Sequence, residues 1–275
     1  MTAAVLAEAA KLPAFVRRDI KVALSYRVAF ASDVLGLAAQ VVVFSFIAKL
    51  VEPSKLPTFG GTQVTYLEFV ATGIVLNLAL GVLLYRVAGA IRQEQLQGTL
   101  ESLLATPTAT ATVQIGSVAS TLLMVPLRAT LMMGAIALVF GLHFDTGGIV
   151  PATLIVAALV PFAWGLGLAT GAAIVTFRRG TGLLGAGTTL LGLASGAVFP
   201  LALLPAWIAA AAEWNPLAIA IDGVREALLG GAGWSEALSD IAILIPLSGL
   251  TLALGVGLFK LALDRERRLG TLGMY

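Results

Sequence analysis

The chain has 275 residues, 59% of them apolar and 12% charged, where a soluble globular domain carries about 25% charged residues, so the composition argues against a water-soluble protein. Seventeen basic and fifteen acidic residues leave a net charge of +2, too even a balance for a nucleic-acid footprint unless the basic residues share one face. With no cysteine and a single histidine, His143, the chain has no disulfides, thiolate metal sites, iron–sulfur clusters or cysteine nucleophile, and little scope for imidazole chemistry.

Met1–Lys11 lacks the basic region, apolar run and small-residue cleavage site of a removable signal peptide. After Pro13, helical spacing puts Val16, Ile20, Ala23 and Leu24 on one side and Arg17, Arg18 and Lys21 on another. Residues 1–27 are therefore expected to hold an amphipathic interfacial helix on the membrane, with a solvated basic helix as the alternative. A membrane-crossing helix needs about 20 mostly apolar residues. Apolar stretches near 34–51, 66–88, 113–142, 149–177, 183–199 and 238–263 predict an all-α polytopic membrane protein with six transmembrane helices. Between the fifth and sixth, Pro200, Pro205 and Pro216 cut the chain into Leu201–Ala212 and Leu217–Leu229, each too short to cross. They predict a re-entrant helical hairpin over 200–230, whose tip must be buried in protein or face water, since lipid offers amides no partner.

Charge sets the orientation. Lys11, Arg17, Arg18, Lys21, Arg27, Arg86, Arg92, Arg178, Arg179, Lys260 and the cluster Arg265, Arg267, Arg268 fall in the termini or even-numbered connections, against Lys49, Lys55 and Arg225 opposite. Both termini are thus expected in the cytoplasm, and a seventh crossing would export the carboxy-terminal cluster. Small residues at Gly167 and Gly171 and at Gly192 and Gly196 suit close helix crossings, within one subunit or between two. No internal repeat or soluble domain is evident, so 1–275 is expected to form a single transmembrane domain.

Gly180, Gly182 and Gly185 fit a dinucleotide-binding glycine spacing but open a membrane span instead of following a strand. Gly182 and Gly187 have P-loop spacing, yet Thr188 stands where the lysine belongs, so the chain is not expected to bind ATP itself. The connection after the second span is more informative. Over 92–105, Leu96, Leu100, Leu103 and Leu104 form one helical stripe opposite charged and amide side chains, and Pro107 stops the helix. Such a helix either docks in a partner's groove and moves as a rigid body or rests on the headgroups.

The run Glu94–Pro107, E-Q-L-Q-G-T-L-E-S-L-L-A-T-P, resembles the cytoplasmic segment of ABC-2 type export permeases. Leu204-Pro205-Ala206-Trp207, followed by Asn215-Pro216-Leu217-Ala218 and Asp222-Gly223-Val224-Arg225, is similar to that family's signature before the last span. Ala218 stands in place of a frequent threonine and Gly223 of a commoner alanine. The resemblance implies the membrane subunit of an ATP-binding-cassette exporter in a bacterial or archaeal plasma membrane, with no catalytic chemistry of its own. It also implies a second copy of this chain and two copies of a cytosolic ATPase that carries the ATP and magnesium. Residues 92–105 would be the coupling helix, with Arg92, Glu94, Leu96, Gln97, Leu100, Glu101 and Leu104 meeting the ATPase. The substrate would be amphipathic, lipid-linked or drug-like.

Arg128 stands midway along the third stretch, where an unpaired cation is costly. It reads as a pathway charge, a structural pair with Asp33 or Glu68, or a snorkelling side chain. Asp222 and Arg225 have i, i+3 spacing and can pair. With Pro205, Asn215 and Pro216 they are candidates for a pathway or gate, or for a structural clasp. His143 and Asp145 read as solvated loop residues, and Trp164, Trp207, Trp214 and Trp234 as interfacial anchors or core packing. An ion- or proton-coupled secondary transporter is the rival function; it would want membrane-embedded carboxylates, which the apolar stretches offer sparingly. An intramembrane enzyme lacks a histidine at membrane depth.

Overall fold

The computed structural model describes residues 13, 17, 21, 27–49, 56–96, 110–177, 181–231 and 233–269. Helix α1 (Arg27–Ala48) leads to a two-stranded antiparallel hairpin, β1 (Thr58–Phe59) and β2 (Thr62–Gln63). Gly60 and Gly61 turn the hairpin at φ of 55° and 76°, the left-handed conformation a type I′ hairpin loop requires at both positions. Helices α2 (Tyr66–Leu96), α3 (Thr110–Phe140) and α4 (Ile149–Phe177) follow, with a 3₁₀ turn at Thr146–Gly148 before α4. Then come α5 (Thr181–Leu193), a second 3₁₀ turn (Leu201–Leu203), α6 (Ala206–Ala212), α7 (Pro216–Leu229) and α8 (Trp234–Leu269).

Helix α2 begins at a capping box. The Thr65 carbonyl accepts the Phe69 amide at 3.0 Å. Glu68 Oε2 accepts from the Thr65 amide at 2.9 Å and its hydroxyl at 2.8 Å, while the Glu68 amide reaches Thr65 Oγ1 at 3.3 Å. The Thr65 and Glu68 amides, which no helical carbonyl can serve, are thereby satisfied reciprocally. Glu68, weighed above as a partner for Arg128, is engaged in this cap and also accepts the His143 amide.

Among the described residues, three helices are long and apolar enough to cross a membrane: Tyr66–Gly89, Thr146–Ile174 and Trp234–Arg265. Shorter apolar runs occupy Ala38–Ala48 in α1 and Met124–Phe140 in α3. Of these, α2 is the most buried, with 61% of its apolar window buried, whereas α8 buries 17% and presents Leu250, Leu254, Leu258 and Leu261 outward. A helix apolar on its outward face belongs in hydrocarbon or against another apolar surface.

Glycines set the closest helix crossings. A Cβ on Gly165 of α4 would run into the backbone of Thr251 and Leu252 on α8, and one on Gly255 into Gly165. On the same helix, Gly167 faces Val87 and Gly171 faces Ala88 of α2. Both are packing sites within this chain, the role small residues serve where no hydrophobic driving force separates helix from lipid.

The apolar span expected over 66–88 lies at Tyr66–Gly89, inside a helix, α2, that continues to Leu96 as the hydropathy falls. One element differs from the sequence expectation. The fifth span was read over 183–199, whereas α5 stops at Leu193 after 13 residues, about 20 Å at 1.5 Å per residue. The chain there leaves helical geometry: Ser195 Oγ donates to the Gly192 carbonyl at 2.7 Å, and Gly196 adopts a φ of 68°. Hydrophobicity continues past this turn, so composition alone does not mark it.

Residues 198–230 start and finish at the same end of the helix bundle. Tyr66, the first residue of α2, donates its hydroxyl to the Val198 carbonyl at 3.2 Å. At the other limit, the Asp145 amide donates to the Leu228 carbonyl at 2.8 Å, and Gly230 packs on the Phe59–Gly60 turn. Between them, Asn215 reaches away from that end and donates Nδ2 to the Ala194 carbonyl, just past α5, at 3.0 Å.

Candidate gate and coupling segment

Asn215 and Pro216 start α7 by ordinary helix chemistry. Asn215 Oδ1 accepts the Leu217 amide at 3.0 Å as N-cap, and Pro216 follows at the first helical position, where a missing N–H costs nothing. Since the other end of the Asn215 amide holds Ala194, one side chain both begins α7 and ties it to the end of α5. Pro205 precedes α6 and is exposed.

Arg225, on the next turns of α7, is the largest fully buried side chain among the described residues, at 1% exposure. Its guanidinium lies 3.5 Å from the centroid of the Phe69 ring, a stacked cation–π arrangement. Its edge makes six hydrogen bonds. Nε donates to the Phe69 carbonyl and Thr72 Oγ1, both at 3.2 Å. Nη2 donates to the carbonyls of Phe69 at 2.8 Å, Gly196 at 3.0 Å and Ala197 at 3.2 Å. Nη1 donates to Asp222 Oδ1 at 3.1 Å, the i, i+3 pair that the spacing allowed. A single side chain thus joins α7, the first turns of α2 and the 194–200 turn. Gly73 of α2 completes the junction, because a Cβ there would collide with the Ala197 backbone. This is the geometry of a clasp: the Nε hydrogen, both Nη2 hydrogens and one of the two Nη1 hydrogens are engaged by protein groups.

Asp222 is different, its side chain 49% exposed. It lines a pocket of about 460 Å³ with Glu213, Trp214, Ile219, Gly223, Glu226, Asp240, Ile243 and Leu247. Four carboxylates and an indole therefore face one hollow between the start of α7 and the first turns of α8. Gly223 admits Asp240 to this hollow, since a Cβ there would meet the Asp240 carboxylate. Glu213 and Asp240 were not singled out from sequence. Asp240, a carboxylate near the start of an otherwise apolar helix, was the available signal.

Arg128 is partly buried on α3, and among the described residues no ion pair holds it. The coupling residues are only partly placed. Arg92, Glu94 and Leu96 lie on the last turns of α2, whereas Gln97, Leu100, Glu101 and Leu104 fall outside the described residues. Of the interfacial-helix residues, Arg17 and Lys21 are helical and exposed, four positions apart on one face; Arg18 falls outside the described residues. Trp207, Trp214 and Trp234 are exposed by 75%, 74% and 53%, while Trp164 packs against the core. Among the described residues, no group of three or more His, Asp or Glu has metal-binding geometry.

Residues 12–229 match the family model for the ABC-2 type transporter. No curated protein matches the chain.

Proposed function

The chain belongs to the ABC-2 type transporter family, and on that premise we propose that it is the permease subunit of an exporter driven by a separate cytosolic ATPase. The family match over 12–229 carries this reading, because it takes in the amino-terminal helix, the connection after α2 and the segment through α7. Two copies of the chain would pair in a plasma membrane with two ATPase subunits, which hold the ATP and magnesium. Both termini and the 92–105 segment would face the cytoplasm. ATP-driven closure of the ATPases would press on that segment, with Glu94 and Glu101 in polar contact and the leucine stripe buried. As one rod of 31 residues, about 46 Å long, α2 would pass the motion to its far end. There the Arg225 clasp holds α7, so the 200–230 hairpin would move with α2 as an outer gate for an amphipathic, lipid-linked or drug-like substrate. A rigid element with two positions is what such coupling needs.

The acid-lined hollow favours one competing reading, an ion- or proton-coupled transporter, since its carboxylates could carry a cation. Two measurements separate them. Tagged chain extracted from native membranes in mild detergent is expected to bring down an ATPase, with no ATP hydrolysis by the chain alone, and Glu101→Arg is expected to cut that yield about tenfold, the effect of losing one charged interface contact. Uphill transport by vesicles holding the chain alone, driven by sodium or pH gradients, would overturn the ATPase reading.

A further inference from the structure

A second, apolar hollow lies on the other side of α7. It measures about 270 Å³ and is walled by α3, α4, α7 and Leu76 of α2. Its inner wall is buried: Leu76, Met133, Ala152, Val156 and Val224. The mouth lies between α3 and α4, where Leu138 is 88% and Ile149 40% exposed. From Ala129 to Leu138 it follows nine residues of α3, about 14 Å, or half of the roughly 30 Å hydrocarbon layer.

We propose that this hollow binds one acyl chain of a bilayer phospholipid, inserted lengthwise between α3 and α4 with its headgroup by the 141–148 loop. A dry apolar cavity of about 150 Å³ admits a benzene-sized molecule, so this one has room for a chain segment larger than that. Polar solutes find little to bind: the lining hydroxyls are Thr130 and Thr146, and Thr130 is engaged by the Pro126 carbonyl and the Thr153 hydroxyl. A second copy of the chain does not fit either, because a helix with its side chains is about 10 Å across and could insert only single side chains. An extended hydrocarbon tail matches the width, the depth and the chemistry of the medium at the mouth. The site shares α7 and α2 with the clasp but none of its hydrogen-bonding groups, and it depends on membrane embedding rather than on the ATPase.

Gly134, on α3 beside the hollow, has no atom within 4 Å of the position its Cβ would take, so Gly134→Phe adds volume there without a backbone clash. Ala129→Leu fills the hollow from its buried wall. The test uses full-length protein in phosphatidylcholine vesicles doped with a phosphatidylcholine carrying a diazirine near the end of one acyl chain. Photolysis is expected to label Met133 and Val156 on the inner wall. Either filling variant should lower that labelling about tenfold, as loss of the required volume implies, while exposed Leu254 and Leu258 of α8 label as before. Changing the probe's headgroup to phosphatidylglycerol should leave the pattern unaltered. Inner-wall labelling that is absent, survives both variants at wild-type melting temperature, or follows the headgroup overturns the proposal.

Discussion

Truncating Arg225 would take a buried donor from the Gly196 and Ala197 carbonyls, from the Phe69 carbonyl and Thr72 Oγ1, which keep their bond to each other, and from the half-exposed Asp222 Oδ1. Removing one member of a buried, hydrogen-bonded charge network costs about 3–5 kcal/mol, because the remaining groups keep their desolvation penalty without their partner. Arg225→Ala is therefore expected to lower the melting temperature of the purified protein sharply. Arg225→Lys should fall between, since an ammonium keeps the charge but not the planar fork or the stack on Phe69. Asp222→Asn should cost about 1 kcal/mol or less, because half of that carboxylate already meets solvent and its pair is correspondingly weak. Transport lost with an unchanged melting curve in Arg225→Ala would instead assign the side chain to the pathway. The pairing was readable from the i, i+3 spacing. The acceptors were not: Phe69 and Ala197 are 156 and 28 residues from Arg225, and carbonyls carry no sequence signature.

At the scale of elements, the α4–α8 crossing depends on two backbones meeting without side chains between them. Gly165→Val would place atoms inside the Thr251–Leu252 backbone, so the helices must separate, and overpacking of this kind costs about 1–3 kcal/mol. Gly257→Ala on the exposed side of α8 has open space at its Cβ and should be neutral or stabilising by up to about 1 kcal/mol through helix propensity. Thermal unfolding of the two variants in detergent checks the contrast; equal shifts would show that the crossing does not depend on Gly165. Spacing marked Gly167 and Gly171 as close-packing positions but left the partner helix open, and Gly165, which forms the tighter crossing, fits the same small-residue rule without having been noticed. Helix limits were less legible. The Thr65-x-x-Glu68 pattern was present as a capping signal, whereas the end of α5 was hidden inside a run that stays apolar through Phe199 and turns on the φ of Gly196.

For the whole molecule, hydrophobic length made the apolar helices Tyr66–Gly89, Thr146–Ile174 and Trp234–Arg265 legible, and what could not be read was which distant residues meet. The acid-lined hollow gathers Glu213 with Asp240, on α8 beyond the whole of α7, and no local pattern announces that encounter. The course of the chain, by contrast, follows from simple constraints. Residues 198–230 leave and return at the hairpin end of the bundle, and α8 then runs for 36 residues toward the basic carboxy-terminal cluster. The proposed orientation, with arginine and lysine biased toward the cytoplasmic side, would set that cluster in the cytoplasm. Because the native sequence has no cysteine, single substitutions report directly on this arrangement. Gly230 is a poor choice, as a Cβ there would crowd Gly60 and the Glu226 carbonyl, but Ser235 and Arg268 are exposed. In intact cells, Ser235→Cys should react with a membrane-impermeant maleimide, while Arg268→Cys should react only after permeabilisation. A seven-span chain places position 235 inside and 268 outside, reversing both results, and would leave the 200–230 segment as a crossing instead of a gate.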